Sequence, residues 1–324
     1  RCLPEMSAEF SDTEMHVVRS QPRNSQECDG IDAAGPMDCT GSRKDRLIPM
    51  QSALDSQGAC GLELRQQRGD ALAGGLREPD GVLEMGNSGT STRLLIGLVA
   101  GHGITATFSG DASLSKRPMQ RVMTPLEMMG ASFQAREGGR LPLSVTGSNT
   151  LLNLEYRLPV ASAQVKSAIL LAGLNTAGRT TVIEEKPTRD HTENMLKAFG
   201  VDFTTEELED GALAVSVIGH QTMQPCAVDV PGDPSSAAFP AVAAASTQGS
   251  DIYLAQIGMN PRRTGIFECL SEMGVEIIYH NRRIEGGEPV ADIQIKSAGN
   301  LKGITVPESR VPSMIDRSEE RRVG

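Results

Sequence analysis

The sequence predicts an α/β protein assembled from a repeated βαβαββ unit, and two observations support this fold class. First, a short polar turn runs into an apolar helix three times, in "GNSGTSTRLLIGLVAG" from Gly86, "SAQVKSAILLAGL" from Ser162 and "PGDPSSAAFPAVAAA" from Pro231. Aligned on Ser88, Ser162 and Ser235, the copies are 74 and 73 residues apart. Second, a strand-like stretch precedes each copy and a glycine-bounded strand signal follows it. This unit is much longer than a solenoid repeat.

The first three elements of each unit are a strand, an apolar helix and a second strand. The first strands are predicted from "GVLEM", "LEYRLPV" and "CAVDV", and the second strands from "GHGITATFSG", "TAGRTTVIEE" and "TQGSDIYLAQIG". The helix between them is apolar on nearly all sides, which is typical of a buried helix. We therefore expect the three first helices to lie in the core.

A second helix, predicted from the apolar spacing of "KRPMQRVMTPLEMMGA", "TRDHTENMLKAFGV" and "NPRRTGIFECLSEMGV", follows in each unit. Each ends at a glycine, the residue favoured after a helix C-terminus; these are Gly130, Gly200 and Gly274. Pro118 and Pro261 are predicted to lie in a first helical turn, and Pro125 to kink or restart its helix. A strand, a polar hairpin and another strand then complete each unit.

Hydrogen-bonding groups gather at the start of each first helix, and arginines gather at the start of each second helix. These arginines are Arg117, Arg189 and either Arg262 or Arg263. One interpretation is structural, with Ser162 a helix cap and the arginines solvated charges. The other is that free amides, helix dipoles and guanidinium forks converge on one cleft that binds phosphates and carboxylates. An arginine near a helix N-terminus opposes the dipole, which favours the second interpretation.

Composition argues against several classes of function. The net charge is -10, aromatic residues make up 3% of the chain and tryptophan is absent, which argues against nucleic-acid partners. The apolar runs are too short to span a membrane, and the acidic N-terminus lacks a signal pattern. Six cysteines without a C-x-x-C pair and five scattered histidines predict neither a disulfide framework nor a metal site. These observations predict a soluble protein of a reducing compartment without a metal site. As separate expectations, we take it to be a cytoplasmic monomer that uses no cofactor.

Seven motifs together resemble one enzyme family. They are "GNSGTSTR", "GDASLSKRPM", "PVASAQVKSAILLAGL", "TRDHTENML", "VPGDPSSAAF", "NPRRTG" and "VPSMID". In this order, from about Gly74 to Asp316, they resemble the bacterial 3-phosphoshikimate 1-carboxyvinyltransferases, or EPSP synthases. The resemblance implies two domains, each of three βαβαββ units around a pseudo-threefold axis. Residues 74–230 would then hold two units of the first domain, and residues 231–316 the opening unit of the second.

The resemblance also implies a reaction and its site residues. The enolpyruvyl group of phosphoenolpyruvate would move to the 5-hydroxyl of shikimate 3-phosphate, releasing phosphate. Shikimate 3-phosphate would contact Ser162, Ala163, Gln164, Arg189 and Asp316, and phosphoenolpyruvate would contact Gly89, Arg117 and Gln164. Asp316 would be the catalytic base that takes the proton of the attacking hydroxyl.

The chain departs from the family at both ends. Residues 1–73 lack periodicity and the family's N-terminal Lys-Ser pair, and matching resumes near "GGLREPDG" as after a shift of reading frame. We expect this region to be frame-shifted or disordered. The charged octapeptide "RSEERRVG", residues 317–324, could not enter a core without heavy desolvation, so we expect a foreign tail. Because further basic groups of the family are not matched, we expect this chain to be inactive by itself.

Two alternatives remain open at this point. A UDP-N-acetylglucosamine enolpyruvyltransferase would share the fold and phosphoenolpyruvate, but it would need a reactive cysteine on a loop. Cys226 and Cys269 lie beside or within predicted regular elements. The other alternative is a non-catalytic fragment that only binds anions.

Overall fold

A computed structural model describes residues 76–314. The two terminal regions discussed above, residues 1–73 and 317–324, lie outside the described residues, and so does Asp316. The chain divides into two compact units between Cys226 and Ala227. We call the described residues 76–226 the first unit and residues 227–314 the second unit.

The first unit contains two complete copies of the βαβαββ repeat. The first copy consists of β1 (Leu83–Glu84), α1 (Gly89–Ala100), β2 (Thr105–Ser109), α2 (Gln120–Met129), β3 (Ser132–Arg136) and β4 (Arg140–Thr146). The second copy consists of β5 (Glu155–Arg157), α3 (Ala163–Gly173), β6 (Arg179–Glu184), α4 (His191–Ala198), β7 (Phe203–Glu207) and β8 (Leu213–Ile218). The predicted order of elements is confirmed in both.

The two copies also share one sheet topology. Their four-stranded sheets have the orders β1-β2-β4-β3 and β5-β6-β8-β7. In each sheet the first strand runs parallel to the second and every other pair is antiparallel. Identical strand order and direction confirm that the sequence repeat is a structural repeat.

The second unit contains one copy that lacks its first strand. Its elements are α5 (Pro234–Ser246), β9 (Asp251–Gly258), α6 (Gly265–Glu272), β10 (Glu276–Glu285) and β11 (Glu288–Lys296), with the sheet order β10-β11-β9. The prediction of a strand at "CAVDV" is wrong, because residues 226–230 form no regular structure. Only Gly232 pairs with the sheet, in a parallel bridge to Ile257. Pro231, which has no N–H to donate to a neighbouring strand, comes directly before this bridge.

The first helices of the first unit are buried, as predicted. Residues 165–174 of α3 and its C-cap are all buried, and α1 packs against this helix. A side chain at Gly97 would clash with the backbone of Ala168, so the glycine allows α1 and α3 to approach closely. These two helices therefore pack directly against each other.

Helix α5 does not follow this prediction. Phe239 is 80% exposed and Val242 is also exposed, although both belong to an apolar helix. The buried face is formed by Ala237, Ala241, Ala244 and Ala245, which pack in the core of the second unit. Among the described residues of that unit, no second helix plays the part that α3 plays for α1, so one face of α5 stays exposed.

The glycines after the second helices are confirmed, whereas the proline predictions are not. Gly130, Gly200 and Gly274 have φ values of 109°, 74° and 102°, in the region that favours glycine. Helix α2 begins two residues after Pro118 and α6 four residues after Pro261, so neither proline lies in a first turn. Helix α2 also continues through Pro125 without restarting.

Candidate functional site

The first helices of the first unit begin at uncharged serine caps. Ser88 caps α1, where its Oγ accepts a hydrogen bond from the Ser91 N–H at 3.3 Å. Ser162 caps α3 and accepts from the Val165 N–H at 3.4 Å. Ser162 is therefore a helix cap, as the first interpretation predicts, and so is Ser88; capping by an uncharged residue is compatible with the second interpretation. Because a serine cap brings no charge, the positive dipole end of each helix is not neutralised by its own cap.

The corresponding helix of the second unit begins at a charged cap. Asp233 caps α5, accepting from the Ser236 N–H at 3.0 Å, so the alignment on Ser235 was wrong by two residues. The other carboxylate oxygen of Asp233 lies 2.7 Å from Arg263 Nη2. This helix start therefore already holds a negative charge, and the cation that the sequence predicts beside it is paired with that charge.

Gln164 connects the starts of α3 and α1. Its side-chain oxygen accepts a hydrogen bond from Arg93 Nη1 at 2.5 Å, and its Nε2 donates to Thr90 Oγ1 at 2.6 Å. The predicted ligand Gln164 therefore lies beside the α1 start, adjoining the half-buried Ser162 and Ala163. Arg93 was missed by the sequence analysis. Its position four residues after Gly89 places both on one face of a helix, which is the signal that could have found it.

Two guanidinium groups converge at Gly89. Arg117 Nη2 donates to Asn87 Oδ1 at 2.5 Å, in the turn before α1. A Cβ atom on the buried Gly89 would lie 3.1 Å from Nη1 of Arg117 and 3.1 Å from Nη1 of Arg93. The α1 start thus combines two cations with the positive end of a helix, an arrangement suited to a carboxylate or a phosphate.

Arg189 lies on a segment that is tied to the side of α3. It is half-buried, directly before Asp190 and α4. The first turn of α4 is joined to α3 by a hydrogen bond from Thr192 Oγ1 to Ser167 Oγ at 2.6 Å. The structure therefore brings Gly89, Arg117 and Gln164 together and holds the Arg189 segment against the helix that carries Gln164.

The described residues offer no obvious place for a metal ion. Residues 76–314 contain no group of three or more His, Cys, Asp or Glu side chains that could coordinate one. Within the same range, each helix is too short or too polar to cross a bilayer.

The chain matches one family over most of its length. The family model for EPSP synthase (3-phosphoshikimate 1-carboxyvinyltransferase) matches residues 63–317, beginning before Gly74, where the motif resemblance begins. The chain belongs to the EPSP synthase family. Gly89, Arg93, Arg117 and Gln164 all lie within the matched residues.

Individual relatives agree with the family match. A 3-phosphoshikimate 1-carboxyvinyltransferase of Parvibaculum lavamentivorans is 60% identical over 243 residues, which are 75% of this chain and 54% of the relative. One from Rhodospirillum rubrum is 50% identical over 288 residues, 89% of this chain and 61% of the relative. The structure resembles an EPSP synthase from Acinetobacter baumannii, with a TM-score of 0.68 and 45% identity over 82% of this chain and 61% of that chain. The chain spans about half to three fifths of the length of these relatives.

These matches favour EPSP synthase over the UDP-N-acetylglucosamine enolpyruvyltransferase alternative. Of the two cysteines in the described residues, Cys269 is buried within α6, whereas Cys226 is half-buried in the irregular segment after β8, because the predicted strand around it does not form. The choice between the two enzymes therefore rests on the family match and not on the cysteines.

Proposed function

We propose that this chain supplies the substrate-binding residues of a 3-phosphoshikimate 1-carboxyvinyltransferase. The enzyme transfers the enolpyruvyl group of phosphoenolpyruvate to the 5-hydroxyl of shikimate 3-phosphate and releases phosphate. The observation that carries the proposal is the convergence of Arg93 and Arg117 at Gly89, beside Gln164, within the residues that match the family.

Phosphoenolpyruvate is assigned to the start of α1. Its carboxylate and phosphate are anions, and the two guanidinium groups offer planar pairs of donors that fit such groups. Gly89 leaves room for the ligand to approach the helix backbone. Gln164 reaches this place from α3 and would touch both substrates.

Shikimate 3-phosphate is assigned to the start of α3. Ser162, the Ala163 amide and Gln164 would bind its polar groups, and Arg189 its phosphate. The uncharged Ser162 cap supports this assignment, because the positive helix end is available to an external anion.

The domain assignment follows from the repeats. The first unit would hold two of the three repeats of one domain, and the second unit the first repeat of the next. The division between Cys226 and Ala227 supports this assignment. We further infer that the enzyme works as a cytoplasmic monomer on two small-molecule substrates.

A chimeric enzyme tests the proposal. Residues 63–317 of this chain replace the matched segment of the Parvibaculum lavamentivorans relative, and phosphate release is measured with both substrates present. We expect turnover that falls at least tenfold in Gln164→Ala and is unchanged in Gln134→Ala, an exposed glutamine of β3. Turnover with UDP-N-acetylglucosamine in place of shikimate 3-phosphate would support the other enolpyruvyltransferase instead. A chimera that binds inorganic phosphate but never turns over would support the non-catalytic alternative.

Asp316 is proposed as the base that takes the proton of the 5-hydroxyl. In the chimera, Asp316→Asn should lower kcat by about 10²–10⁴-fold, the usual effect of removing a general base. Shikimate 3-phosphate affinity should stay nearly unchanged, because asparagine keeps the shape of the side chain and one oxygen that accepts a hydrogen bond. A near-normal kcat with a raised KM would show that Asp316 only orients a neighbouring group.

A further inference from the structure

A cluster of three charged side chains lies in the core of the first unit, beneath the start of α3. Lys166 is fully buried, and its Nζ lies 3.0 Å from Glu184 Oε2 and 2.6 Å from Glu193 Oε1. Lys166 belongs to α3, Glu184 ends β6, and Glu193 lies in the first turn of α4. We call these residues the Lys166 cluster.

Burying the three charges of the Lys166 cluster costs desolvation free energy, so the cluster is not an efficient way to stabilise the fold. Buried ions lose their hydration, and replacing buried ion pairs with apolar side chains is often neutral or stabilising. This cluster also holds two carboxylates for one ammonium. Glu193 Oε2 is buried and has no hydrogen-bond partner among the described residues. Burial raises the pKa of Glu193, although the charge and hydrogen bond of Lys166 act in the opposite direction.

The cluster joins the two segments that carry the proposed shikimate 3-phosphate ligands. Lys166 lies one turn after Ser162, and its backbone N–H donates to the Ser162 carbonyl at 3.1 Å. On the other side, Thr188 Oγ1 donates a hydrogen bond to Glu184. Thr188 directly precedes Arg189, so the cluster contacts the segment that carries Arg189, while Lys166 itself belongs to the helix that begins at Ser162.

Glu193 closes the arrangement from α4. Its ion pair with Lys166 and the adjacent bond from Thr192 to Ser167 hold the first turn of α4 against α3. The segment that contains Arg189 is therefore held at both ends. Thr188, at its start, is half-buried and bonds Glu184, and the first turn of α4, at its end, is joined to Lys166 and Ser167 by buried side chains.

We propose that Lys166, together with Glu184 and Glu193, is a positioning residue that fixes the Arg189 segment relative to the start of α3. This inference rests on the proposed function, since the site it serves is the shikimate 3-phosphate site assigned above. The buried charges give directional contacts that an apolar core lacks, and these contacts set the separation between Arg189 and Gln164 before the substrate arrives.

Two substitutions of Glu193 test the proposal in the full 324-residue chain. Glu193→Leu removes the bridge to α4 and leaves Lys166 paired with Glu184, whereas Glu193→Gln keeps an oxygen that accepts from Lys166. Hydrogen exchange over residues 186–192 and calorimetric affinity for shikimate 3-phosphate are measured together with the melting temperature. We expect Glu193→Leu to speed exchange in that segment and lower affinity about tenfold, the effect of one lost charge-assisted bond.

The melting temperature separates positioning from stability. In Glu193→Leu the melting temperature should stay close to that of wild type, because Lys166 keeps Glu184 as its counter-ion and no uncompensated charge is buried. Glu193→Gln should keep both the slow exchange and the affinity within about twofold. The proposal would be overturned if Glu193→Leu had the same hydrogen-exchange rates over residues 186–192 and the same shikimate 3-phosphate affinity as Glu193→Gln.

Thr188→Val gives an independent test that leaves all charges in place. It should speed exchange over residues 186–192 and weaken shikimate 3-phosphate binding, whereas Thr107→Val should do neither. Thr107 is a matched control because its hydroxyl bonds Ser144 at 2.7 Å on the other sheet of the same unit. If the wild-type chain binds no shikimate 3-phosphate but Thr188→Val still exchanges faster over residues 186–192, the positioning contacts would be supported and the proposed function refuted. Unchanged exchange in both Thr188→Val and Glu193→Leu would refute the positioning role itself.

Discussion

The starts of α3 and α5 occupy the same position in the repeat but carry different charges. Helix α3 is capped by Ser162, an uncharged side chain. Helix α5 is capped by Asp233, whose carboxylate also pairs with Arg263 at 2.7 Å. The repeat can therefore leave a helix end open to an external anion or neutralise it from within. The first unit does the former and the second unit the latter.

Asp292 in the second unit and Glu193 in the first are both buried carboxylates, but they differ in how many hydrogen-bond partners they have. Asp292 of the second unit accepts hydrogen bonds from Asn281 at 2.7 Å, the Gln256 N–H at 2.8 Å and Tyr253 at 2.7 Å. Glu193 of the first unit has one oxygen without a hydrogen-bond partner in the described chain. Of these two buried carboxylates, the one without a full set of partners is therefore Glu193, which lies in the unit that carries the proposed site.

Moving the acidic cap from α5 to α3 should have the largest effect. In the chimera, Ser162→Asp should lower shikimate 3-phosphate affinity by about 100-fold, because a carboxylate would repel the phosphate at short range. Stability should be unchanged or slightly higher, since aspartate is an equally good cap and suits the helix dipole. Gln120→Glu, which adds the same charge at the first residue of α2, is the control and should leave affinity unchanged. Equal losses in both variants would indicate a general effect of added charge.

The buried carboxylates should respond to pH in opposite directions. Burial alone would raise the pKa of Asp292, but hydrogen bonds from Asn281, Gln256 and Tyr253, with the charge of Arg283, lower it to about 2. Asp292 therefore stabilises the second unit above pH ~4 and loses this contribution, at most about 2 kcal/mol, as the pH falls towards 2. The raised pKa of Glu193 has the opposite sign, so its contribution to stability declines as the pH rises above its unfolded value.

Unfolding followed by hydrogen exchange in each unit measures both effects. Asp292→Asn should destabilise β10 and β11 at pH 7. It should also reduce the loss of their stability as the pH falls from ~4 towards 2. Glu193→Gln should flatten the dependence of the stability of α3 and α4 on pH above ~4, the ordinary pKa of a glutamate. A destabilisation by Asp292→Asn that is the same at pH 2.5 and pH 7 would contradict the assignment.

Adding a methyl group at Gly89 should have a smaller and more selective effect. Gly89→Ala should weaken phosphoenolpyruvate binding about tenfold while shikimate 3-phosphate affinity stays within about twofold. The new Cβ would meet the flexible ends of Arg93 and Arg117 at 3.1 Å, so it would move the cations without disturbing the backbone. Gly81→Ala is a matched control, because nothing lies within 4 Å of a Cβ there. Equal loss of affinity for both substrates would argue against a phosphoenolpyruvate site at Gly89.

Local patterns predicted most of the fold, and long-range packing decided what they missed. The buried α3 and the glycines that end the second helices follow from periodicity and backbone preference alone. The exposed face of α5 could not be predicted, because burial depends on which helix packs against it. The Asp233 cap could have been found, since Pro234 favours the first helical position and so marks the preceding residue as the cap.

The candidate site was predicted in part for the same reason. Gly89, Arg117 and Gln164 stand in recognisable motifs, and the structure brings them together. Arg93 lies in one of these motifs, four residues after Gly89 on the same helix face, and its contact with Gln164, 71 residues away, confirms that it belongs to the same place. The Lys166 cluster joins α3, β6 and α4 through charged side chains, which the sequence alone would place at the surface. Their burial depends on how these three elements pack together, so it could not be predicted from the sequence.

The smallest effect is expected at the internal ion pair of α5, and it tests the comparison most directly. If Arg263 serves only to neutralise Asp233, then Arg263→Gln in the chimera should lower the free energy of unfolding by less than about 1 kcal/mol, as is usual for partly exposed ion pairs. The side chains of Arg263 and Asp233 are 18% and 41% exposed, so water already screens part of their attraction. Affinity for shikimate 3-phosphate and phosphoenolpyruvate should stay within about twofold of wild type. Arg262→Gln removes the same charge one residue away and serves as the control in denaturant unfolding and calorimetric titration. A tenfold loss of either substrate in Arg263→Gln, but not in Arg262→Gln, would mean that the α5 start also binds a ligand, and the distinction between open and self-neutralised helix ends would then fail.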